Sequence, residues 1–115
     1  MARRTREILW IKAALKDFED FPTGTREVLA EALTVVAEGG HPDIAKPLHG
    51  LGSGVLELAV RRRGDAFRVV YAVQVGAAVW VVHAFQKKSK SGIATPKAEM
   101  DLLRERLRRL REALR

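Results

Sequence analysis

The chain has 115 residues, enough for one domain with a modest core and too few for two lobes. It has no cysteine, which excludes disulfides, thiolate nucleophiles and cysteine-based metal sites. Lys and Arg number 21 against 14 Asp and Glu, and the formal net charge of +7 favours a polyanionic partner. We therefore expect a single domain over residues 1–115, with nucleic acid and a membrane surface both open as partners.

The charge is unevenly distributed along the chain. Residues 17–43 contain seven acidic side chains and one basic, whereas residues 44–91 contain eight basic side chains and two acidic. This separation predicts a domain with two electrostatically different faces. The apolar run at residues 8–11 is far too short for a signal peptide or a membrane span, so the expected location is the cytoplasm.

The first part of the chain predicts a short strand and a helical hairpin. Residues 7–10 are typical of a strand, and residues 11–18 then repeat apolar side chains at helical spacing until Pro22 stops the helix. A second apolar stripe over residues 28–36 predicts another helix, so the acidic side chains lie on the outer face of the hairpin. Residues 41–54 are rich in glycine and proline and predict a loop.

Three strand patterns follow, over residues 55–62, 66–75 and 78–86, and predict an antiparallel meander. One face of the meander is apolar and is expected to pack on the helices, with Tyr71 in the core. The fold class is therefore α+β, in the order β-α-α-β-β-β with a C-terminal helix.

The register of the first hairpin depends on its turn. A two-residue loop at Gly64-Asp65 would place Arg61 directly opposite Arg68, a like-charge pair that costs stability unless an anion lies between the two. Either two-residue loop considered for the second hairpin places His83 on this same face.

The last element is an amphipathic helix. Thr95 is the expected N-cap and Pro96 lies in the expected first turn, followed by a leucine stripe at helical spacing. This helix either covers the sheet of its own molecule, which we favour, or docks a partner.

Five basic side chains are predicted to converge on one end of the sheet: Arg61, Arg68, His83, Lys87 and Lys88. Cleavage of RNA without a metal needs a base for the 2′-OH, a cation for the charge on the phosphate oxygens and an acid for the 5′ oxygen. His, Lys and Arg can share these tasks, although a solvated basic face is the other reading of the pattern. Lys46 lies in a loop that could overhang this face.

The remaining histidines and the glycine-rich run do not predict a metal site or a nucleotide site. His41 and His49 lack a third residue at metal-ligand spacing and are expected to be turn residues. The glycine-rich run at residues 50–54 precedes a strand rather than opening a helix, unlike a nucleotide-binding loop. We therefore expect neither a cofactor nor a metal.

Nearly the whole chain resembles the phage-derived, HigB-like branch of the RelE/ParE toxin superfamily. The motifs that carry the resemblance are Lys46-Pro47-Leu48 with Gly50-Leu51-Gly52, the strand Arg68-Val69-Val70-Tyr71, and His83-Ala84-Phe85-Gln86-Lys87-Lys88-Ser89 followed by Thr95-Pro96. Where RelE-type toxins can use a tyrosine shortly after the last strand, this chain has Gly92, Ile93 and Ala94.

The resemblance implies a type II toxin that cuts messenger RNA on the ribosome and is held inactive by a cognate antitoxin, expected to be of the helix-turn-helix type. By position, Arg68 resembles the arginine that contacts the scissile phosphate. Arg61 resembles the basic residue on the preceding strand, and Lys88 resembles the basic residue just after the last strand. We expect His83 to move protons, with Lys87 and Lys88 stabilising charge.

Three further cations, Lys46, Arg63 and Lys90, are expected to contact RNA. ParE-like relatives share the fold but inhibit DNA gyrase, so gyrase inhibition is an alternative function. A basic nucleic-acid-binding domain without catalysis is another.

Overall fold

The computed structural model describes residues 5–88 and 94–115, which form an α+β fold around one mixed sheet. Its strands are β1 (Ile8–Trp10), β2 (Ala45–Pro47), β3 (Val55–Arg62), β4 (Asp65–Ala72) and β5 (Val79–Lys87), and its helices are α1 (Lys12–Glu19), α2 (Thr23–Ala37) and α3 (Lys97–Ala113). The predicted class, the helical hairpin, the meander and the terminal helix are confirmed. No helix in the described ranges is long and apolar enough to cross a membrane.

The sheet has the strand order β1-β5-β4-β3-β2. β1 runs parallel to β5, and the other neighbours are antiparallel. The side chain of Arg6 fixes the start of β1, since its guanidinium donates to the backbone oxygens of Val73, Ala77 and Ala78 at 2.7 to 3.0 Å. The short edge strand β2 lies within the stretch predicted to be a loop. The sequence did not predict it, because three residues that include a proline give too weak a strand pattern.

The turn between β3 and β4 differs from the prediction. Its central residues are Arg63 and Gly64, with φ of 53° and 86°, whereas Asp65 pairs with Arg62 in the ladder. Positive φ at both central residues is the geometry of a type I′ turn, whose twist suits a two-residue hairpin.

The turn lies one residue earlier than predicted, which shifts the pairing of β3 with β4 by two residues. Arg61 lies opposite Ala66 and Arg68 opposite Ala59, so the predicted opposition of the two arginines is wrong. The assignment of side chains to faces is unchanged, because the shift preserves the alternation of residues along both strands. In the second hairpin, His83 lies opposite Val70, as one of the two predicted registers requires. The predicted two-residue loop is wrong, because an irregularity between Val70 and Tyr71 shifts the pairing and six residues, 73–78, connect β4 to β5.

Each face of the sheet has its own apolar core. The cluster under α1 and α2 includes Phe18, Leu29 and Tyr71, and the cluster on the other face includes Leu103 and Leu107 of α3. Burial of the α3 leucines confirms that this helix covers the sheet of its own molecule. The sheet face that carries Arg68 and His83 is therefore partly covered by α3.

The start of α3 is a correction to the sequence analysis. Pro96 occupies the N-cap position and no side chain caps the helix. The Thr95 hydroxyl, predicted to cap it, instead donates to Glu57 Oε2 at 3.2 Å. The N–H groups at an exposed helix end can donate to water, whereas the buried Glu57 carboxylate needs a donor from the protein, which accounts for the exchange.

Candidate functional site

A buried ion pair lies at the centre of the site. The alternation of β3 and β4 brings Glu57 and Arg68 to the α3 face, where Arg68 Nη1 lies 3.1 Å from Glu57 Oε1. The Thr95 hydroxyl lies 3.4 Å from Arg68 Nη1 and donates to the other carboxylate oxygen of Glu57. The guanidinium is thus fixed at the junction of β3, β4 and the segment before α3.

Lys87, the last residue of β5, places an ammonium group beside this pair. The residue is 4% exposed, and no acceptor in the described part of the chain lies within hydrogen-bond distance of its Nζ. Burial and the nearby charges of Arg68 and Arg61 lower the pKa of Lys87, while Glu57 opposes them. An ammonium in this setting is poised to release its proton or to bind an anion.

Exposed cations surround the buried ones. Arg61 and Arg63 lie exposed where the β3–β4 hairpin turns. Lys88 is 70% exposed, and its Nζ lies 3.7 Å from Asp65 Oδ2. Lys46 on the edge strand is also exposed and sits directly opposite Glu57, so it belongs to the same face.

His83 shares the predicted face but lies beneath α3. Its side chain is 4% exposed and stacks on Phe85 with ring centroids 4.9 Å apart. Arg106 Nη1 lies 3.1 Å from Nδ1 and Glu99 Oε1 lies 2.9 Å from Nε2.

These contacts define the state of the His83 ring. A guanidinium can only donate, so Nδ1 accepts from Arg106 and Nε2–H of the neutral ring donates to Glu99. Burial lowers the pKa of His83, and Glu99 opposes the shift. Neither ring nitrogen is open to a substrate in this arrangement, so the predicted proton-transfer role gains no support from the geometry.

The arrangement is suited to a phosphate diester. Several cations face one carboxylate, and the buried ones occupy fixed positions. Fixed charges in a site with little water stabilise an anionic transition state more strongly than mobile surface charges do. In the described ranges, no three His, Asp or Glu side chains come together as a metal site.

The structure brings Arg61, Arg68 and Lys87 together with Lys46, Arg63 and Lys88 around them. Lys90, the remaining predicted RNA contact, lies outside the described residues, as do Gly92 and Ile93. Glu57 and Thr95 belong to the site and were not predicted to. A glutamate within an otherwise apolar strand was the signal for Glu57, because a buried carboxylate requires a partner.

The fold is that of a RelE-like protein. A double arginine-to-alanine variant of the E. coli toxin RelE in the free state has a TM-score of 0.62 at 20% identity, over 91% of this chain and 97% of that one. The isolated E. coli RelE toxin in its P21 crystal form has a TM-score of 0.57 at 21% identity, over 87% and 97%. These likenesses establish the fold.

The sequence identifies the family. Residues 16–108 match the family model described as phage derived protein Gp49-like, and the chain belongs to that family. No curated protein matches the chain. The predicted resemblance to the phage-derived branch of the RelE/ParE toxin superfamily is confirmed.

Proposed function

We propose that this protein is the toxin of a type II toxin–antitoxin pair and that it cleaves messenger RNA. One observation carries the proposal: the buried Lys87 ammonium, which has no hydrogen-bond acceptor in the described ranges, lies next to Arg68 and Arg61. Burying a cation without an acceptor is unfavourable, so its retention favours a function that brings an anion to it. The RelE-like fold and the Gp49-like family support the toxin class.

The proposed reaction is an internal transfer at one phosphate. The 2′ oxygen attacks phosphorus, the bond from phosphorus to the 5′ oxygen breaks, and the products are a 2′,3′-cyclic phosphate and a 5′-OH. A base takes the 2′ proton and an acid supplies one to the leaving 5′ oxygen. No redox partner or metal is needed for this balance.

The residues divide the work by their positions. Arg68, fixed by Glu57, binds the phosphate oxygens on which charge develops. Lys87 in its neutral amine form, which its lowered pKa favours, is the group in the site best suited to take the 2′ proton and becomes an ammonium in doing so. Lys88 supplies a protonated ammonium at the exposed rim for the leaving oxygen, and Arg61 adds positive charge.

The partners follow from the class. The RNA is messenger RNA held on the ribosome, and the reaction takes place in the cytoplasm, where translation occurs. A cognate antitoxin, of the helix-turn-helix type, would neutralise the protein. The basic face offers an acidic segment of the antitoxin an electrostatic target.

The test is cleavage mapping in a translating extract, with the purified chain compared with Arg68→Lys and Lys87→Met. We expect new message 5′ ends with the unaltered chain and at least a hundredfold fewer with either variant. Lys16→Met is the matched control, because it removes an exposed lysine from α1, on the other side of the sheet. Circular dichroism checks that each variant is folded.

Two results would reject the proposal. Full cleavage by Lys87→Met would show that the proposed site is not where cleavage occurs, even if the protein remained a nuclease. Intact messages together with arrested gyrase supercoiling would mark a gyrase inhibitor and leave the cationic site without a catalytic role.

A further inference from the structure

A second cationic surface lies far from Lys87, on α3. A groove of about 380 Å³ runs between this helix and the loop that precedes β3. Its walls carry Arg104, Arg108, Arg111 and Arg115, and its floor is formed by Leu51 and Leu107. The groove lies near the start of β3, whereas Arg61 lies near its end, so about 20 Å of strand separates the groove from the Arg61 and Lys87 end of the site.

Arg111 is held in place within this groove. Its Nη2 donates to the backbone oxygen of Leu51 at 2.8 Å. Gly52 has φ of +89°, and a Cβ there would lie 2.9 Å from the same nitrogen, so the absence of a side chain leaves room for the guanidinium. No carboxylate of the described residues is within ion-pair distance of Arg111, so a fixed guanidinium retains its full charge.

Three of these arginines, Arg104, Arg108 and Arg111, form a stripe along the helix, and Arg115 lies just beyond its last residue. Spacings of four and three residues place the three on one side of α3, over about 10 Å. Arg104 pairs with Asp101, and Arg108 with Glu105 and Glu112, but all these side chains are about half exposed. Exposed ion pairs are weak, and a guanidinium can exchange such a carboxylate for a bidentate phosphate.

Basic side chains connect the groove to the candidate site. Lys46 lies opposite Glu57, on the face that holds Arg68. The chain then runs from β2 through the exposed His49 to Gly50, where a Cβ would lie 3.9 Å from Arg104 Nη2. A continuous polyanion could therefore follow the protein from one cationic surface to the other.

We propose that this α3 groove binds the phosphate backbone of the RNA substrate, several nucleotides from the phosphate that is cleaved. The identity of the ligand rests on the proposed function. A stripe of fixed positive charges suits a chain with one charge per nucleotide. Leu51 and Leu107 are only 4% and 1% exposed, so the floor offers little apolar surface to anchor a peptide.

The test is RNA binding by the full-length protein as salt is varied. Fluorescence anisotropy would use a 20-nucleotide RNA with 2′-O-methyl sugars, which has no free 2′-OH and cannot be cleaved by the proposed reaction. We expect Arg111→Gln with Arg115→Gln to weaken binding by roughly tenfold and to reduce the slope of log K against log salt by about 1.4. Arg109→Gln is the matched control, since this arginine is 75% exposed on α3 and does not line the groove.

The outcomes separate this inference from the proposed nuclease. An unchanged salt slope in the double variant would overturn the proposal that the α3 groove binds RNA, whether or not the protein cleaves RNA. A reduced slope without any cleavage activity would support the groove and count against the nuclease. Weaker binding of a poly-glutamate peptide, with RNA binding unchanged, would overturn the inference in favour of an acidic protein segment. Arg115→Gln alone, at an exposed position near the chain end, keeps the test valid if Arg111→Gln misfolds.

Discussion

The carboxylate of Glu57 and the guanidinium of Arg68 lie 3.1 Å apart with about a tenth of each side chain exposed. Replacing one member of such a pair strands the other charge away from water. This pair therefore links the stability of the sheet to the geometry of the proposed phosphate-binding group.

Glu57→Ala should lower the free energy of unfolding by about 3–5 kcal/mol, because it leaves the Arg68 charge buried without its carboxylate. Urea denaturation measures the change. Asp101→Ala is the comparison, since the Asp101 carboxylate pairs with Lys97 and Arg104 in solvent and its loss should cost far less. Equal costs for the two variants would mean that the buried pair has no special role in stability.

Lys87→Met should raise the melting temperature while abolishing RNA cleavage. Methionine fills a similar volume without a buried charge, so the folded state becomes more stable, while the proposed activity is lost with the amine. Thermal unfolding and message cleavage are measured on the same preparations. A variant that is both less stable and inactive would indicate that Lys87 is a structural residue.

Lys87→Arg distinguishes proton transfer from simple charge. Arginine keeps the positive charge but does not release its proton at accessible pH. Because the pKa of Lys87 is lowered, the rate of the unaltered enzyme should rise with pH below 10.5 and level off before that value. The variant should cleave at least a hundredfold more slowly. Cleavage at the normal rate would restrict Lys87 to stabilising charge.

The buried His83 should make the protein sensitive to acid. Its pKa is lowered in the folded state, so the unfolded chain binds more protons once the pH falls below about 6.5. Stability is therefore complete above that pH and decreases below it, by at most about 1.4 kcal/mol per pH unit.

His83→Gln should flatten this dependence in urea denaturation series between about pH 7.5 and about pH 5, a range that spans the ordinary histidine pKa. His49→Gln is the control, because His49 is exposed. An identical pH profile for the unaltered chain and His83→Gln would show that other groups govern acid stability.

Arg63→Asn should stabilise the protein by about 0.5–1 kcal/mol and weaken RNA binding. Arg63 has φ of 53°, a left-handed conformation that asparagine adopts at lower cost than arginine. Arg62→Asn removes the neighbouring exposed charge from the end of β3 and should give no gain. A loss of stability in Arg63→Asn would contradict the role of the turn conformation.

The sequence pattern predicted faces more reliably than registers. Alternation along β3 and β4 assigned Tyr71 to the core and Arg68 to the other face, and a shift of the turn left both assignments intact. The turn itself was misplaced, because Gly64 can occupy either central position and the pattern does not exclude Arg63 from a left-handed conformation.

The sequence pattern did not predict contacts between segments that are distant in the chain. His83 was assigned to the correct face, but nothing in the local sequence indicates that Glu99 and Arg106 of α3 close over it. The same applies to Thr95, whose hydroxyl has a local role as a helix cap and a distant one with Glu57. Tertiary hydrogen bonds of this kind depend on the path of the whole chain.

The parallel pairing of β1 with β5 determines when the sheet can form during synthesis of the chain. Arg6 and β1 are synthesised first, yet the partners of Arg6 lie 67 to 72 positions further along. A contact so distant in sequence cannot form until the intervening chain has left the ribosome. Lys87, the last residue of β5, is made later still, so a half-synthesised chain has neither a finished sheet nor the ammonium on which the proposed cleavage depends.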